Sequence, residues 1–171
     1  MKIGILSDTH SKIGRAKKVI DLLIANGAEY LIHAGDICER EVLEYMLQSK
    51  LPYIAVYGNN DAHMVQHHRS FNLVQEPHHF KIKEHVFKLM HLPYYMNPDA
   101  DIVIFGHTHT FECDYKNNTL FLNPGEACAR NKPVSECVML NITDEQYKVE
   151  AFSRPLKTQE WKIQHINFER Q

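Results

Sequence analysis

At 171 residues the chain has the length of one domain, and its formal charge of -2, with a pI near 6.6, excludes the basic footprint of a general duplex nucleic-acid binder. With 44% hydrophobic and 23% charged residues it has the composition of a folded protein, and no run approaches the ~20 apolar residues of a membrane span. Twelve histidines are the anomaly, and they bring metal chemistry in early.

Residues 2–7, short, apolar and ended by a polar turn, predict a buried first strand; the run is too short for the apolar core of a signal peptide. Ile13, Ala16, Val19, Ile20, Leu23 and Ile24 then recur at helical spacing until Asn26-Gly27 stops the helix. A second buried strand at 30–34 runs into Gly35-Asp36. Val42, Leu43, Tyr45, Met46 and Leu47 mark a helix over 40–48, and a third strand at 52–57 ends in Gly58-Asn59-Asn60-Asp61. Such an alternation with short connections predicts parallel βαβ units.

Beyond Asp61 the pattern becomes strand-rich, at 80–82, 86–90, 102–105, 111–115, 120–123, 136–142 and 147–152, with a turn at 116–118. A parallel first half and a strand-rich second half predict an α/β fold. Its two mixed β-sheets would pack in layers with helices outside, a four-layer α/β/β/α sandwich. One domain over 1–171 is expected; the tail from Ser153 alternates too weakly to say whether it packs. Cys38, Cys113, Cys128 and Cys137 show no zinc-knuckle spacing and read as free thiols, so a cytoplasmic location is expected.

Polar clusters follow the predicted strand ends: Asp8-Thr9-His10, Gly35-Asp36, Gly58-Asn59-Asn60-Asp61, His91, and Gly106-His107-Thr108-His109. Ligands of open α/β sheets bind beyond the carboxyl ends of the strands, so these clusters are expected to converge across about a hundred residues of chain. Residues two apart leaving a strand point to one side, which lets Asp8 with His10, and His107 with His109, each present a pair of donors. Imidazole, carboxylate and one amide oxygen without thiolate suit Mn, Fe, Ni or Zn. Seven donors are too many for one tetrahedral ion. They suit two, about 3.5–4 Å apart, if a carboxylate bridges them, and Asp36 is the natural bridge.

At these residues the chain resembles the calcineurin-like metallophosphoesterases, most closely their small single-domain phosphodiesterases. The pattern D-x-H … G-D … G-N-x-D … H … G-H-x-H is met in order by Asp8/His10, Gly35/Asp36, Gly58/Asn59/Asp61, His91 and Gly106/His107/His109. A turn similar to the family's follows at Asn123-Pro124-Gly125-Glu126. The resemblance implies a first metal held by Asp8, His10, Asp36 and His109, and a second held by Asp36, Asn59, His91 and His107. Mn2+ is the ion expected, with Ni, Fe or Zn as alternatives. It further implies a phosphodiesterase in which a hydroxide shared by the metals attacks a small phosphoester. Asp36, Asn59, His107 and Asp61 would carry the chemistry, with Asp61 orienting a histidine ligand. Phosphomonoesterase activity is the alternative, as is a scaffold that keeps the fold without catalysis, against which the full ligand set argues. No stable duplex nucleic-acid binding and no membrane contact are expected; a homo-oligomer stays open.

Two departures matter. Many relatives place a histidine between the Asn and Asp of the third motif, where it can protonate the leaving group; here that position is Asn60, a poor acid. The general acid is then unassigned, with His63, His67 and His68 nearby. After His91, moreover, the chain runs through Leu92-Pro93-Tyr94-Tyr95 to Asp101 without room for the usual helix, which would open the site or let the tyrosines stack on substrate. Among the remaining polar residues, His33 reads as a satisfied core histidine, His67-His68 and His78-His79 as surface, Thr9 and Thr108 as spacers, Gly125 as a turn glycine, and Arg130 and Lys132 as solvated loop cations.

Overall fold

Period-two alternation sets the two cores. In β1 (Lys2–Leu6), β2 (Tyr30–His33) and β3 (Tyr53–Val56), Ile3, Ile5, Ile32, Ile54 and Val56 face one side, while Leu6, Leu31, Tyr53 and Ala55 face the other. The second side meets α1 (Ile13–Ala25) and α2 (Arg40–Gln48) through Ala16, Val19, Ile20, Leu23, Val42, Leu43 and Met46, the apolar stripes that the sequence spacing marks. A computed structural model describes residues 1–170 in this way.

After β3 come a short 3-10 turn (Ala62–His67), β4 (Leu73–Val74), β5 (His78–Ile82), β6 (His85–Leu89), β7 (Ile102–Ile104), β8 (Phe111–Lys116) and β9 (Thr119–Pro124). The chain then closes with β10 (Val134–Ile142), β11 (Gln146–Pro155) and β12 (Lys162–Glu169). The first sheet has the order β12-β11-β10-β1-β2-β3-β4 and the second β5-β6-β7-β9-β8, both mixed. Phe87, Leu89, Ile102, Ile104, Leu120 and Leu122 of the second sheet pack on the Ile3 side of the first, which makes the central core between the sheets.

The outer face of the second sheet differs from the four-layer expectation. It buries Met90, Val103, Phe105 and Phe121 under Met96 and Ala100, so the irregular segment 91–101 stands in for the outer helix layer, as the short run from His91 to Asp101 predicts. About ten residues cannot hold both a helix and its two connections, whereas they can lie flat as a strap. Lys88 fastens this strap. It points outward from β6, is 1% exposed, and gives its ammonium to Asn97 O at 3.0 Å and Asp99 Oδ1 at 2.5 Å. Lys88→Met keeps the stem and removes both charge-assisted bonds, so a loss of about 2 kcal/mol is expected. For a chain of this size that is about 4–8 °C in Tm by calorimetry; an unchanged Tm would free the strap from this anchor.

The tail packs. β12 pairs antiparallel with β11 over residues 162–169, while Trp161 lies edge-on to Phe152 at 6.4 Å between ring centroids. All four cysteines are free, and no helix among the described residues is long and apolar enough to cross a membrane.

Candidate metal centre

Strands β1, β2 and β3 run parallel, and β6, β7 and β9 run parallel in the other sheet, so their carboxyl ends deliver the polar clusters to one place. Two contacts tie the sheets together there. The His107 backbone N–H donates to Asp8 Oδ2 at 3.1 Å, and His91 Nδ1 donates to Ala34 O at 2.8 Å. Asp8, His10, Asp36, His107 and His109 all adopt positive φ, between 43° and 69°, a region that side-chain-bearing residues enter at a cost of about 1–3 kcal/mol each. Five such residues at one locus mark a functional site.

The donors fall into two adjoining groups. In the first, Asp8 Oδ1 lies 3.2 Å from His109 Nε2 and 3.9 Å from His10 Nε2; the two imidazole nitrogens are 3.4 Å apart, and His10 Nε2 is 3.7 Å from Asp36 Oδ2. In the second, Asn59 Oδ1 lies 3.1 Å from His91 Nε2 and 3.0 Å from His107 Nδ1, with Asp36 Oδ1 3.5 Å from His91 Nε2. Asp36 turns one oxygen to each group. All seven sequence-predicted ligands thus meet.

The protonation pattern suits cations. His109 Nδ1 donates to Glu126 Oε2 at 2.6 Å and His91 Nδ1 to Ala34 O, which turns the Nε2 atoms of both rings, the lone-pair atoms of the neutral imidazoles, toward the clustered donors. Asp8 Oδ2 accepts from Ser7 Oγ and the His107 N–H, while Oδ1 is buried without a hydrogen-bond partner. An orphaned carboxylate oxygen facing two imidazole nitrogens is a cradle for a positive ion. Burial and the nearby Arg130 charge hold His10 down to about 4, which keeps its lone pair free at neutral pH. Burial pushes the Asp8 carboxyl up, against the pull of His91 and Ser7. Burial would lower His91, but the adjacent Asp36 carboxylate raises it overall, and Asp36 itself is held well below the usual carboxylate range.

The glycines of the motifs are required by close approach. A Cβ on Gly58 would come within 2.2 Å of Asp36 N and Oδ1, and one on Gly106 within 2.2 Å of Ser7 Oγ and 3.0 Å of Asp8 Oδ2. Either would drive a metal-facing carboxylate out of place.

Several positioning groups differ from the sequence reading. Asp61 reaches no histidine: its oxygens accept from the backbone N–H groups of Ile37, Cys38 and Gly58, clasping the turn that carries Asp36 to the turn that carries Asn59. A carboxylate that close in sequence to a glycine turn finds backbone N–H groups before it can span to a ring. The histidine-orienting carboxylate is Glu126, which also accepts from the N–H groups of Arg130, Asn131 and Lys132. Burial would raise Glu126, but His109 and those N–H groups hold it down to about 2. Glu76 is a further group the sequence reading missed, accepting from the N–H groups of His91 and Leu92.

Asn60 donates to Asp36 through both its backbone N–H (2.9 Å) and its side-chain amide (2.7 Å). Thr9 is more than a spacer, since its hydroxyl meets His33 Nε2 at 3.0 Å, while His33 Nδ1 accepts from Gly35 N–H. His33 is therefore the satisfied core histidine expected. His63 is tied to Cys38 O at 2.7 Å, His68 to Val65 O, and His67 packs against Phe71, so none of the three contacts the clustered donors. Cys128 Sγ lies near His10 and His109, but it donates to Glu126 and, through burial and that carboxylate, has its thiol pushed up to about 12. A thiol kept protonated is a poor ligand. Tyr94 and Tyr95 are exposed on the strap, and Gly125 has the expected positive φ of 79°.

A family model described as the calcineurin-like phosphoesterase superfamily domain matches residues 1–145. Phosphodiesterase MJ0936 of Methanocaldococcus jannaschii is 27% identical over 161 residues, covering 86% of this chain and 97% of that protein. Phosphodiesterase YfcE of Escherichia coli is 25% identical over 146 residues, 73% of this chain and 78% of that one. Among solved structures, wild-type Vps29 of Entamoeba histolytica complexed with zinc is similar in fold, with a TM-score of 0.71 at 21% identity over 98% of this chain and 99% of that one.

Proposed function

Since the chain belongs to the calcineurin-like phosphoesterase superfamily, we propose that it is a hydrolase that cleaves phosphodiesters at a dinuclear metal centre. The observation that carries this reading is the convergence of Asp8, His10, Asp36 and His109 on one side, and of Asp36, Asn59, His91 and His107 on the other. These residues would hold two divalent ions with Asp36 between them. Mn2+ is our choice for a mixed nitrogen and oxygen donor set without thiolate; zinc, as in the Vps29 structure, fits the same donors.

Bound there, the ions supply the positive charge that clamps a phosphoryl group and acidifies the attacking water. The protein's share is positioning. Asn60 fixes both Asp36 oxygens, Glu126 fixes His109, and Asn59 and the exposed His107 sit where the two donor groups open to solvent. Beside Asn59 opens a pocket of about 230 Å³ lined by Tyr57, Val65, Gln75 and Glu76, which would take a small organic substituent of the ester. Arg130 is exposed and its charge is felt at His10, so it is a candidate contact for a phosphate oxygen. The four free cysteines suit a reducing compartment, and we place the reaction in the cytoplasm.

Diester preference rests on the relatives named phosphodiesterases. Asn60 cannot protonate an alkoxide and His63 is held by a carbonyl, so the leaving group departs unassisted. The test is a series of aryl diesters and monoesters of graded leaving-group acidity, assayed with Mn2+. Bis-p-nitrophenyl phosphate is expected to exceed p-nitrophenyl phosphate in kcat/KM, with a rate that falls steeply as the phenol becomes less acidic. A large monoester preference would overturn the diester assignment, and a flat dependence would mean that another group protonates the leaving oxygen.

A further inference from the structure

A cavity of about 590 Å³ opens at the start of α1, and its lining begins at Ser11, one residue after His10. Four cationic side chains, Lys12, Arg15, Lys18 and Arg154, line it, and no carboxylate does. The Lys and Arg salt bridges among the described residues involve Arg40, Lys88, Lys116 and Lys132, so none of these four is neutralised by a carboxylate. Arg15 is held by the carbonyls of Cys128 and Ala129, which fixes its charge at the cavity wall.

Arg154 is the telling residue. It stands on β11, is 5% exposed, and its Nε is buried without a hydrogen-bond partner. The Trp161 ring, 5.3 Å from the guanidinium carbon, holds its plane but offers no acceptor. A buried cationic donor left unpaired is costly unless an anion completes it. The first turn of α1 adds a second set of free donors. Lys12 at the N-cap supplies no side-chain acceptor; the Arg15 and Ala16 N–H groups donate to Lys12 O, which leaves those of Ile13 and Gly14 to a ligand, and the field of a thirteen-residue helix favours negative charge there. Gly14 leaves that turn open, since a Cβ placed on it would meet nothing within 4 Å.

We propose that this cavity is an anion-binding site that takes a phosphate group, separate from the metal centre. The group has two chemical sources, a second phosphate on the ester held at the metal centre or a free phosphate ion.

The test begins with inorganic phosphate titrated calorimetrically into the full chain in chelator, so that no divalent ion mediates binding. This arm does not depend on the proposed hydrolysis. Saturable binding is expected, weakened about tenfold or more in Arg154→Gln and in the exposed variant Lys18→Gln, each of which removes one charge-assisted contact. Lys18→Gln keeps the test valid should Arg154→Gln fail to fold. No binding up to millimolar phosphate, or affinities unchanged in a folded Lys12→Gln/Lys18→Gln double variant, would overturn the site. A second arm compares diesters with and without an additional terminal phosphate, using Mn2+-loaded protein. A preference for the phosphorylated ester that Lys18→Gln abolishes, with bis-p-nitrophenyl phosphate turned over as before, assigns the cavity to substrate. Phosphate binding without such a preference assigns it to the free ion.

Discussion

Asp36→Asn is expected to lose Mn2+-dependent hydrolysis of bis-p-nitrophenyl phosphate by about a thousandfold or more in kcat/KM, equivalent to roughly 4 kcal/mol of transition-state stabilisation. The substitution changes one oxygen to an amide nitrogen at nearly constant volume. Each Asp36 oxygen has its own duty: Oδ2 faces His10 and accepts from the Asn60 amide, while Oδ1 faces His91 and accepts from the Asn60 N–H. An amide has one acceptor oxygen, so one of the two sides must receive an NH2 group. A nitrogen that donates cannot ligate an ion, and on either side it opposes the existing Asn60 donor or an imidazole. Metal analysis is therefore expected to fall from two ions per chain toward one. Folding should survive, because the turn beneath is clasped independently by Asp61 through Ile37, Cys38 and Gly58. Activity retained within tenfold, with two ions still bound, would remove Asp36 from the bridging position and with it the dinuclear reading.

The parts of this site that were legible in the sequence are those whose chemistry is local. Asp8-Thr9-His10 and Gly106-His107-Thr108-His109 announce themselves because donor-bearing residues stand two apart just past an apolar strand, although left-handed backbone and not strand alternation places them, and Gly106 marks close approach of backbone to carboxylate. The cores were legible for the same reason, since Ile3, Ile5, Ile32 and Ile54 alternate with the residues facing α1 and α2. What escaped is set by distance along the chain or by burial without a pattern. Glu126 meets His109 across seventeen residues, and nothing in a turn glutamate reveals which ring it will reach. Lys88 is polar in the middle of an apolar strand and is buried only because the strap folds over it. β12 alternates weakly because it is an edge strand largely exposed on both faces, so pairing with β11, and not burial, defines it. Asp61 was placed at the site but given the wrong partner. Its contacts reach the site at one remove, through the turn that bears Asp36.

Glu126→Gln carries the second large effect, a loss of about 10–100-fold in metal affinity. The carboxylate does two things that an amide cannot do together. It accepts from His109 Nδ1–H, fixing the ring so that Nε2 points at Asp8 Oδ1 as an acceptor, and it accepts from the N–H groups of Arg130, Asn131 and Lys132. Its charge also makes His109 a stronger donor to a cation, which a neutral amide would not. In Gln, one of the two terminal atoms becomes a donor facing either a ring N–H or a row of backbone N–H groups. Either the imidazole turns or the loop over 130–132 lifts. If Glu126 acts by orienting His109, excess Mn2+ should restore most of kcat in the variant while the apparent metal affinity stays low. A fall in kcat that saturating metal does not repair would instead place Glu126 in the reaction itself. The stabilising part of this contact has its own pH signature in the metal-free protein. With Glu126 held down to about 2 from an ordinary 4.5, its contribution is complete above about 4.5 and is lost as the pH falls through about 2. The variant should then show a stability deficit at neutral pH that closes toward acid, and a deficit independent of pH would mean that the carboxylate's charge is not what holds the ring.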